Sequence, residues 1–223
     1  MDLIKSYDYF NPLSVQQRCH IIGCGSVGST IAENLARLGI TKFTLYDFDI
    51  VEPHNVANQM FTSLDIGMPK VEATKRIITA INPDATPDII VEPKGYESQR
   101  LTGYVFLCVD NIDLRRKIAE SNKMNMSIKV MFDIRTRLED AQHYAANWSN
   151  PREIANFIET MQFTHEEARA ATPVTACNVE MGVAPTVRIV CACCVANFMN
   201  FVRTGELKRM ILTDAFKFEV DAV

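Results

Sequence analysis

The sequence predicts an α/β fold of the Rossmann type, a doubly wound and mostly parallel sheet that antiparallel strands close at the C-terminus. A glycine-rich turn joins a short apolar strand to an amphipathic helix within residues 18–39. Apolar runs then alternate with helical patterns up to residue 132, which is typical of parallel strands joined by helical crossovers. Two further strand-like runs, 210–212 and 216–220, follow the last helical segment.

Composition and charge limit the classes of protein to which the chain can belong. The chain of 223 residues is 48% hydrophobic, which is enough to bury a large core without disulfides or metals. Its formal net charge of −4 argues against a general nucleic-acid binder, which usually carries clustered lysine and arginine. We expect one domain over residues 1–223, with small molecules or proteins as partners and with no nucleic acid and no membrane.

The N-terminus and the cysteines indicate a reducing compartment. Residues 1–5 lack the charged start and apolar core of a signal peptide, so we expect a cytoplasmic protein. The seven cysteines are odd in number and lack the spacing of a disulfide framework, which predicts reduced thiols. The most apolar stretch, residues 187–202, is shorter than the roughly 20 residues that span a bilayer, so it is predicted to be a buried helix.

A βαβ unit is predicted behind an N-terminal arm, residues 1–17. Residues 18–22 form its first strand, the helix that follows has apolar residues at helical spacing, and Gly39 is a suitable stop. Residues 42–46 form the second strand. Beyond them we predict a helix starting at Pro69, strands at 88–91, 104–109 and 128–132, and a helix at 114–123. A polar crossover or substrate region at 136–176 has helices after Asn150 and Thr164, and an apolar helix at 185–205 precedes the closing strands.

The turn GCGSVG, residues 23–28, fits the G-x-G-x-x-G pattern in the context where it binds a phosphate, after a strand and at a helix start. Asp47 follows Gly28 by nineteen residues, the distance at which dinucleotide folds place an acid that binds ribose hydroxyls. This spacing alone is compatible with NAD. The alternative for Asp47 and Asp49 is a structural role in a turn.

An ordered series of polar motifs continues after this unit. Asp47-x-Asp49-x-Val51 is followed by Asn55, Gln59, Gly67-x-Pro69-Lys70, Asn82-Pro83 and Asp110-Asn111. From residue 18 to 115 this series resembles the ThiF/MoeB-type adenylyltransferases, the superfamily of the ubiquitin-activating enzymes. The resemblance implies a protein that uses ATP and Mg²⁺ to adenylate a carboxylate, and a homodimer.

The resemblance also implies site residues. It places the glycine loop and the first aspartate on ATP, an asparagine and a lysine on the phosphates, and the aspartate before Asn111 on magnesium. The implied nucleotide-binding residues are Gly23, Gly25, Gly28, Asp47, Asp49, Asn55, Asn58, Lys70, Asp110 and Arg115. The implied catalytic residues are Lys70, Asp110 and Cys177, and the metal ligand is Asp110.

The residue types suit this chemistry independently of the family. A carboxylate that attacks the α-phosphorus of ATP requires neutralised charge on the α-phosphate and on the departing pyrophosphate. Lys70 and a magnesium held by Asp110, at the end of a predicted strand, would supply it. The alternatives are a solvent-exposed lysine at a helix start for Lys70 and a helix N-cap for Asp110.

Two departures from the family pattern stand out. Asn58 occupies the position of an arginine that reaches the phosphates, and asparagine brings neither charge nor a bidentate fork. Removal of one such transition-state donor costs about 3 kcal/mol. The family's N-terminal arginine, which is often lent by the neighbouring subunit of a dimer, has no clear counterpart before Arg18. The cations that could substitute are Arg18, Lys94, Arg100 and Arg115.

The cysteines carry two further expectations. A structural zinc site needs two separated C-x-x-C pairs, whereas Cys191, Cys193 and Cys194 supply one such spacing inside an apolar helix, so no structural zinc is predicted. Relatives that form a thioester or persulfide carry a cysteine before the final helix, so Cys177 is the candidate nucleophile. A structural cysteine is the alternative.

Three functional hypotheses follow. The first is an adenylyltransferase that activates the C-terminus of a ubiquitin-like protein, a sulfur-carrier protein or a peptide. The second is a nucleotide-binding pseudoenzyme that acts as an interaction module, which Asn58 motivates. The third is an NAD-dependent oxidoreductase, in which Lys70 and Asp110 have no necessary place.

Overall fold

A computed structural model, which describes residues 1–170 and 181–223, contains one eight-stranded sheet of order β3-β2-β1-β4-β5-β6-β7-β8. Strands β1 to β5 are parallel and β6 to β8 are antiparallel, so the predicted fold class is confirmed. The strands are β1 (Cys19–Ile22), β2 (Phe43–Tyr46), β3 (Ile89–Glu92), β4 (Gly103–Leu107), β5 (Ile128–Thr136), β6 (Asp140–Asn147), β7 (Met210–Asp214) and β8 (Glu219–Ala222). The helices are α1 (Ser26–Arg37), α2 (Lys70–Ile81), α3 (Ile112–Ser121), α4 (Pro151–Glu159), α5 (His165–Ala170) and α6 (Ala184–Thr204).

The core lies on both faces of the sheet, because every residue of the central strand β4 is buried. Successive side chains of a strand point to opposite faces. Phe106 packs with Phe132 and with Phe198 of α6 on one face, while Leu107 packs against α3 on the other. This two-sided burial produces the continuous apolar run that predicts a parallel central strand.

Strand β6 is the element that the prediction omitted. Residues 140–147 lie in the predicted polar crossover region, yet they pair antiparallel with β5 and β7. The buried positions of β6 include Ala141, His143 and Ala145, whose small or polar side chains give no apolar alternation in the sequence. The same pairing extends β5 to Thr136, four residues beyond the predicted end.

Helix α6 combines a length and an apolar composition that would also suit a membrane span. In this fold one side of the helix packs against α1, β5 and β6, and Val190, Cys191, Cys194 and Phe198 are buried there. The predicted N-terminal arm also contacts this helix, since Phe10 is buried with its ring centroid 6.2 Å from that of Phe198. Helix α6 therefore belongs to the protein core.

Candidate nucleotide-binding site

A cleft of about 470 Å³ opens at the carboxyl ends of β1, β2 and β4. The chain order reverses there, since β2 lies on one side of β1 and β4 on the other, and open α/β sheets bind ligands at such a switch point. The volume lies in the range of small-molecule sites. Of the residues predicted for the site, the cleft is lined by Gly23, Gly25, Asp47, Asp49, Lys70, Asp110 and Arg115.

Each of the three glycines in the loop is required for a different structural reason. Gly23 has a φ of +94°, and a Cβ there would lie 2.8 Å from the backbone of Cys108. A Cβ on Gly28 would lie 1.8 Å from the carbonyl oxygen of Gly23, so helix α1 packs directly onto the loop. A Cβ on Gly25 would meet no atom within 4 Å, and no side chain caps α1 at this residue. The loop therefore leaves the N–H groups of the first turn of α1 for an anion.

Asp47 joins the two loops of the cleft. Its Oδ2 accepts a hydrogen bond of 2.6 Å from the N–H of Cys24, and its Oδ1 accepts one of 2.9 Å from the N–H of Asp49. Burial raises the pKa of Asp47, and these two hydrogen bonds partly offset the rise. Each carboxylate oxygen has two acceptor sites, so Asp47 retains acceptors for hydroxyl groups of a ligand.

Lys70 is the first residue of α2, and it lines the wall of the cleft. Its Nζ lies 2.8 Å from Oδ2 of Asp49, and its backbone N–H donates to the carbonyl of Asp49 at 2.9 Å. The lysine is 8% exposed, so it is not a solvent-exposed residue at a helix start. Backbone hydrogen bonds from Val51 to Gly67 and Met68 hold the segment after β2 against the segment before α2.

Asp110 presents a carboxylate at the mouth of the cleft. The N-cap of α3 is Asn111, whose Oδ1 accepts the N–H of Leu114 at 3.0 Å. The alternative role of Asp110 as the N-cap is therefore wrong. Within residues 1–170 and 181–223, the side chain of exposed Asp110 forms no hydrogen bond and no ion pair, which leaves it available to a ligand.

Arg115 lies behind Asp110 and is 5% exposed. Its guanidinium donates to the carbonyl oxygens of Val109, at 2.6 Å from Nε, and of Ile134, at 2.8 Å. It also pairs with the fully buried carboxylate of Asp133, which is shared with Arg135. Four of the five N–H donors of Arg115 are engaged in this way, so the residue holds the backbone next to Asp110.

Three of the described predicted residues, Gly28, Asn55 and Asn58, are not among those that line the cleft. Asn55 is buried, and its Oδ1 accepts the N–H of Glu52 at 2.9 Å in a capping box. Asn58 ends the same short turn, and its Nδ2 would lie 3.5 Å from a Cβ on Gly182. Cys177 lies outside the described residues.

The four candidate substitutes for the missing arginine are dispersed. Arg18 donates to the carbonyls of Phe43 and, at 2.7 Å, of Asp88. These contacts lie at the amino ends of the parallel strands, the edge of the sheet opposite to the cleft. Arg100 precedes β4 and therefore lies at that same far edge. Lys94 is exposed and lines the cleft.

Sequence reasoning missed two aromatic residues of the cleft. Phe48 lines it with 75% of its surface exposed, and Tyr96 lines it with its ring centroid 5.7 Å from that of Tyr46. An exposed aromatic residue between two aspartates is a signal that could have found Phe48. The position of Tyr96 depends on the loop after β3, which has no sequence signature.

A second pocket of about 290 Å³ adjoins the cleft and shares Asp110, Arg115 and Thr136 with it. Its other side includes Arg135 and Arg137, so several guanidinium groups surround the space beside Asp110. Among the described residues, no group of three or more histidine, cysteine or acidic side chains could hold a metal ion.

The family model that matches the chain is that of the ThiF family, over residues 13–223. The chain belongs to the ThiF family. Ubiquitin-like modifier-activating enzyme 5 of Drosophila grimshawi is 32% identical to this ThiF-family chain over 148 residues, 57% of the chain and 35% of the relative. The rice protein of the same name (Oryza sativa subsp. japonica) is 33% identical over 138 residues, 54% of the chain and 32% of the relative. The chain thus spans about a third of the length of the curated relatives it matches.

Solved structures show the same fold. E. coli MccB with MccA-N7isoASN has a TM-score of 0.72 and 16% identity, covering 95% of this ThiF-family chain and 66% of that chain. PaaA has a TM-score of 0.67 and 17% identity, covering 95% and 65%. MccB has also been solved with ATP, at a TM-score of 0.67 and 16% identity, covering 95% and 64%.

Proposed function

We propose that this protein is an adenylyltransferase, which uses ATP to convert a carboxylate into an acyl-adenylate and releases pyrophosphate. The observation that carries the proposal is one cleft that combines three features: the start of α1 with no side-chain cap on Gly25, the buried Lys70, and the carboxylate of Asp110, which is unpaired among the described residues. Membership of the ThiF family and the ATP complex of MccB support the choice of nucleotide.

The nucleotide would lie across the switch point of the sheet. The first turn of α1 and the open side of Gly25 suit its phosphates, and the carboxylate of Asp47 suits its ribose hydroxyls. Lys70 would leave Asp49 for a phosphate oxygen. The NAD hypothesis explains Asp47 equally well, but it gives no role to Lys70 or to Asp110.

The chemical step forms a bond between the substrate carboxylate oxygen and the α-phosphorus. The bond from that phosphorus to the bridging oxygen breaks, and pyrophosphate leaves with the electron pair. Negative charge grows on the phosphate oxygens, so Lys70 would stabilise the transition state.

The carboxylate of Asp110, which has no partner among the described residues, fits Mg²⁺, because this ion is usually bound through one or two carboxylates together with substrate phosphates and waters. When bound, Mg²⁺ neutralises charge on the phosphate oxygens. Arg115 acts through the backbone, since its hydrogen bonds to the carbonyl of Val109 hold Asp110 at the cleft.

The carboxylate would enter from the second pocket, which Arg135 and Arg137 line. Arg135 is paired with buried Asp133, so Arg137, whose pair with Asp140 is exposed, is the guanidinium that a substrate carboxylate would bind. A ubiquitin-like protein, a sulfur-carrier protein or a peptide would supply it, as the names of the relatives and the complexes of MccB with MccA indicate for those proteins. Cys177 as acceptor of the acyl group, a cytoplasmic location and a homodimer are further parts of the proposal.

ATP–pyrophosphate exchange with candidate carboxylate partners tests the proposal. We expect exchange with the right partner and its loss in Asp110→Ala and Lys70→Met. Glu159→Gln, on α4, is a matched control that should keep the exchange rate. Binding of NADH without exchange would refute adenylation.

A nucleotide-binding pseudoenzyme is the second candidate, and the observation that favours it is Asn58. It predicts ATP binding without exchange for every partner tested. Measuring ATP affinity alongside exchange therefore separates the two functions.

A further inference from the structure

Arg188 is a half-buried cation near the glycine loop, and none of the described residues is an anionic partner for it. It lies on the first turns of α6, and its Nη1 donates to Oγ1 of Thr30 at 2.7 Å and contacts Sδ of Met60. Both of these partners are uncharged. Within residues 1–170 and 181–223, Arg188 forms no ion pair with a carboxylate.

These two contacts connect Arg188 to the wall of the cleft. The hydroxyl of Thr30 donates to the carbonyl of Ser26 at 2.7 Å, and Ser26 lines the cleft. The N–H of Met60 donates to the hydroxyl of Ser29 at 3.2 Å, which in turn donates to the carbonyl of Gly25. The guanidinium therefore lies one side chain behind the first turn of α1.

Gln59, the residue before Met60, provides an independent observation. It lines the cleft, and its Oε1 is buried without a hydrogen-bond partner in the described part of the chain. The segment that contacts Arg188 thus holds an unsatisfied polar group on the side of the cleft. A ligand that brings a hydrogen-bond donor or an ordered water would satisfy it.

Positive charge accumulates around the first turn of α1. The N-terminus of α1 carries a partial positive charge, and Arg188 adds a full charge behind it. In the described part of the chain the guanidinium contacts a hydroxyl and a thioether, so it leaves no counter-charge behind when it turns to an anion, and pairing with a phosphate adds the attraction of opposite charges.

We propose that Arg188 binds the outer phosphates of ATP and supplies the charge that Asn58 does not. This inference rests on the proposed function and assigns a residue to its phosphate end. Lys94 is less suited to this role, because it follows β3 and so stands on the Asp47 side of the cleft, away from the first turn of α1.

The experiment measures binding of a non-hydrolysable ATP analogue, pyrophosphate and AMP to the full chain and to Arg188→Met, which keeps the length of the side chain. We expect the dissociation constants of the analogue and of pyrophosphate to rise by about 10- to 100-fold, the loss typical of one hydrogen bond to a charged group. AMP affinity should not change, because AMP lacks the outer phosphates. Arg188→Lys should keep most of the affinity.

Two further variants sharpen the test. Arg203→Met, on the same helix, removes an arginine that stacks on Tyr9 at 3.8 Å, and it should leave all three affinities unchanged. Asn58→Arg introduced into Arg188→Met should restore affinity for pyrophosphate, because it returns a cation to the same end of the cleft.

Unchanged affinity for the analogue in Arg188→Met would overturn this inference while leaving the proposed function intact. Equal losses for AMP and the analogue would also overturn it, since they would indicate a structural role. Failure of Asn58→Arg to restore binding would show that the two positions do not serve the same phosphates. Absence of ATP binding by the unmodified protein would instead refute the proposed function itself.

Discussion

Replacing Asp133 by asparagine tests the buried ion pairs behind the cleft. Asp133 is fully buried and accepts from Arg115, whose side chain is 6% exposed, and from Arg135, whose side chain is 15% exposed. The amide keeps the shape of the carboxylate but leaves two guanidinium groups without their counter-charge. Breaking a buried pair from one side costs about 3–5 kcal/mol, which corresponds to a fall in Tm of about 6–20 °C for a chain of this size.

Thermal and urea unfolding followed by circular dichroism measure this effect. The matched control is Asp140→Asn, whose pair with Arg137 is exposed, at 53% and 37%, and should change stability by less than about 1 kcal/mol. The triple variant Arg115→Met, Asp133→Leu and Arg135→Met should be less destabilised than Asp133→Asn, because no lone charge stays buried. A Tm for Asp133→Asn within about 2 °C of the unmodified protein would refute the reasoning.

The remaining predictions concern the glycine loop and the buried histidines. Gly28→Ala should fail to fold or lose its nucleotide site, since its Cβ would lie 1.8 Å from a backbone oxygen, whereas Gly25→Ala should keep its Tm and lose ATP affinity. Comparing Tm with ATP affinity for both variants checks this pair. Burial lowers the pKa of His20 and of His143 to about 4. The unfolded chain therefore binds protons first as pH falls, and stability should drop by about 2 kcal/mol per histidine between pH 6.5 and 5, which urea unfolding at the two pH values measures. An unfolding free energy that is equal at both pH values would contradict these lowered pKa values.

The sequence predicted those parts of the fold whose signals are local. The βαβ unit is recognisable because a strand, a glycine turn and a helix follow one another directly, and α6 because its apolar pattern is long. Strand β6 could not be found this way, since its buried alanines and His143 become a sheet face only through pairing with β5 and β7.

The same distinction applies to the candidate site. The edge of the sheet that gathers Asp47, Lys70 and Asp110 followed from strand order. The ion-pair partners of the residues beside the site could not be predicted in this way. Arg115 of α3 pairs with Asp133, eighteen residues away on β5, and no spacing rule connects them. The position of Arg188 beside the loop depends on how α6 packs on α1, which also lies beyond local pattern.

The ion pair between Lys70 and Asp49 has a consequence for turnover. Asp49 is an anionic neighbour of Lys70, so a departing anion does not leave a buried ammonium group without a counter-charge. An arriving phosphate must displace Asp49, which weakens its binding, and the same carboxylate is in place to recapture the lysine when the phosphate leaves. Under the proposed function, Asp49 therefore lowers the affinity of the site for phosphate and eases the release of pyrophosphate.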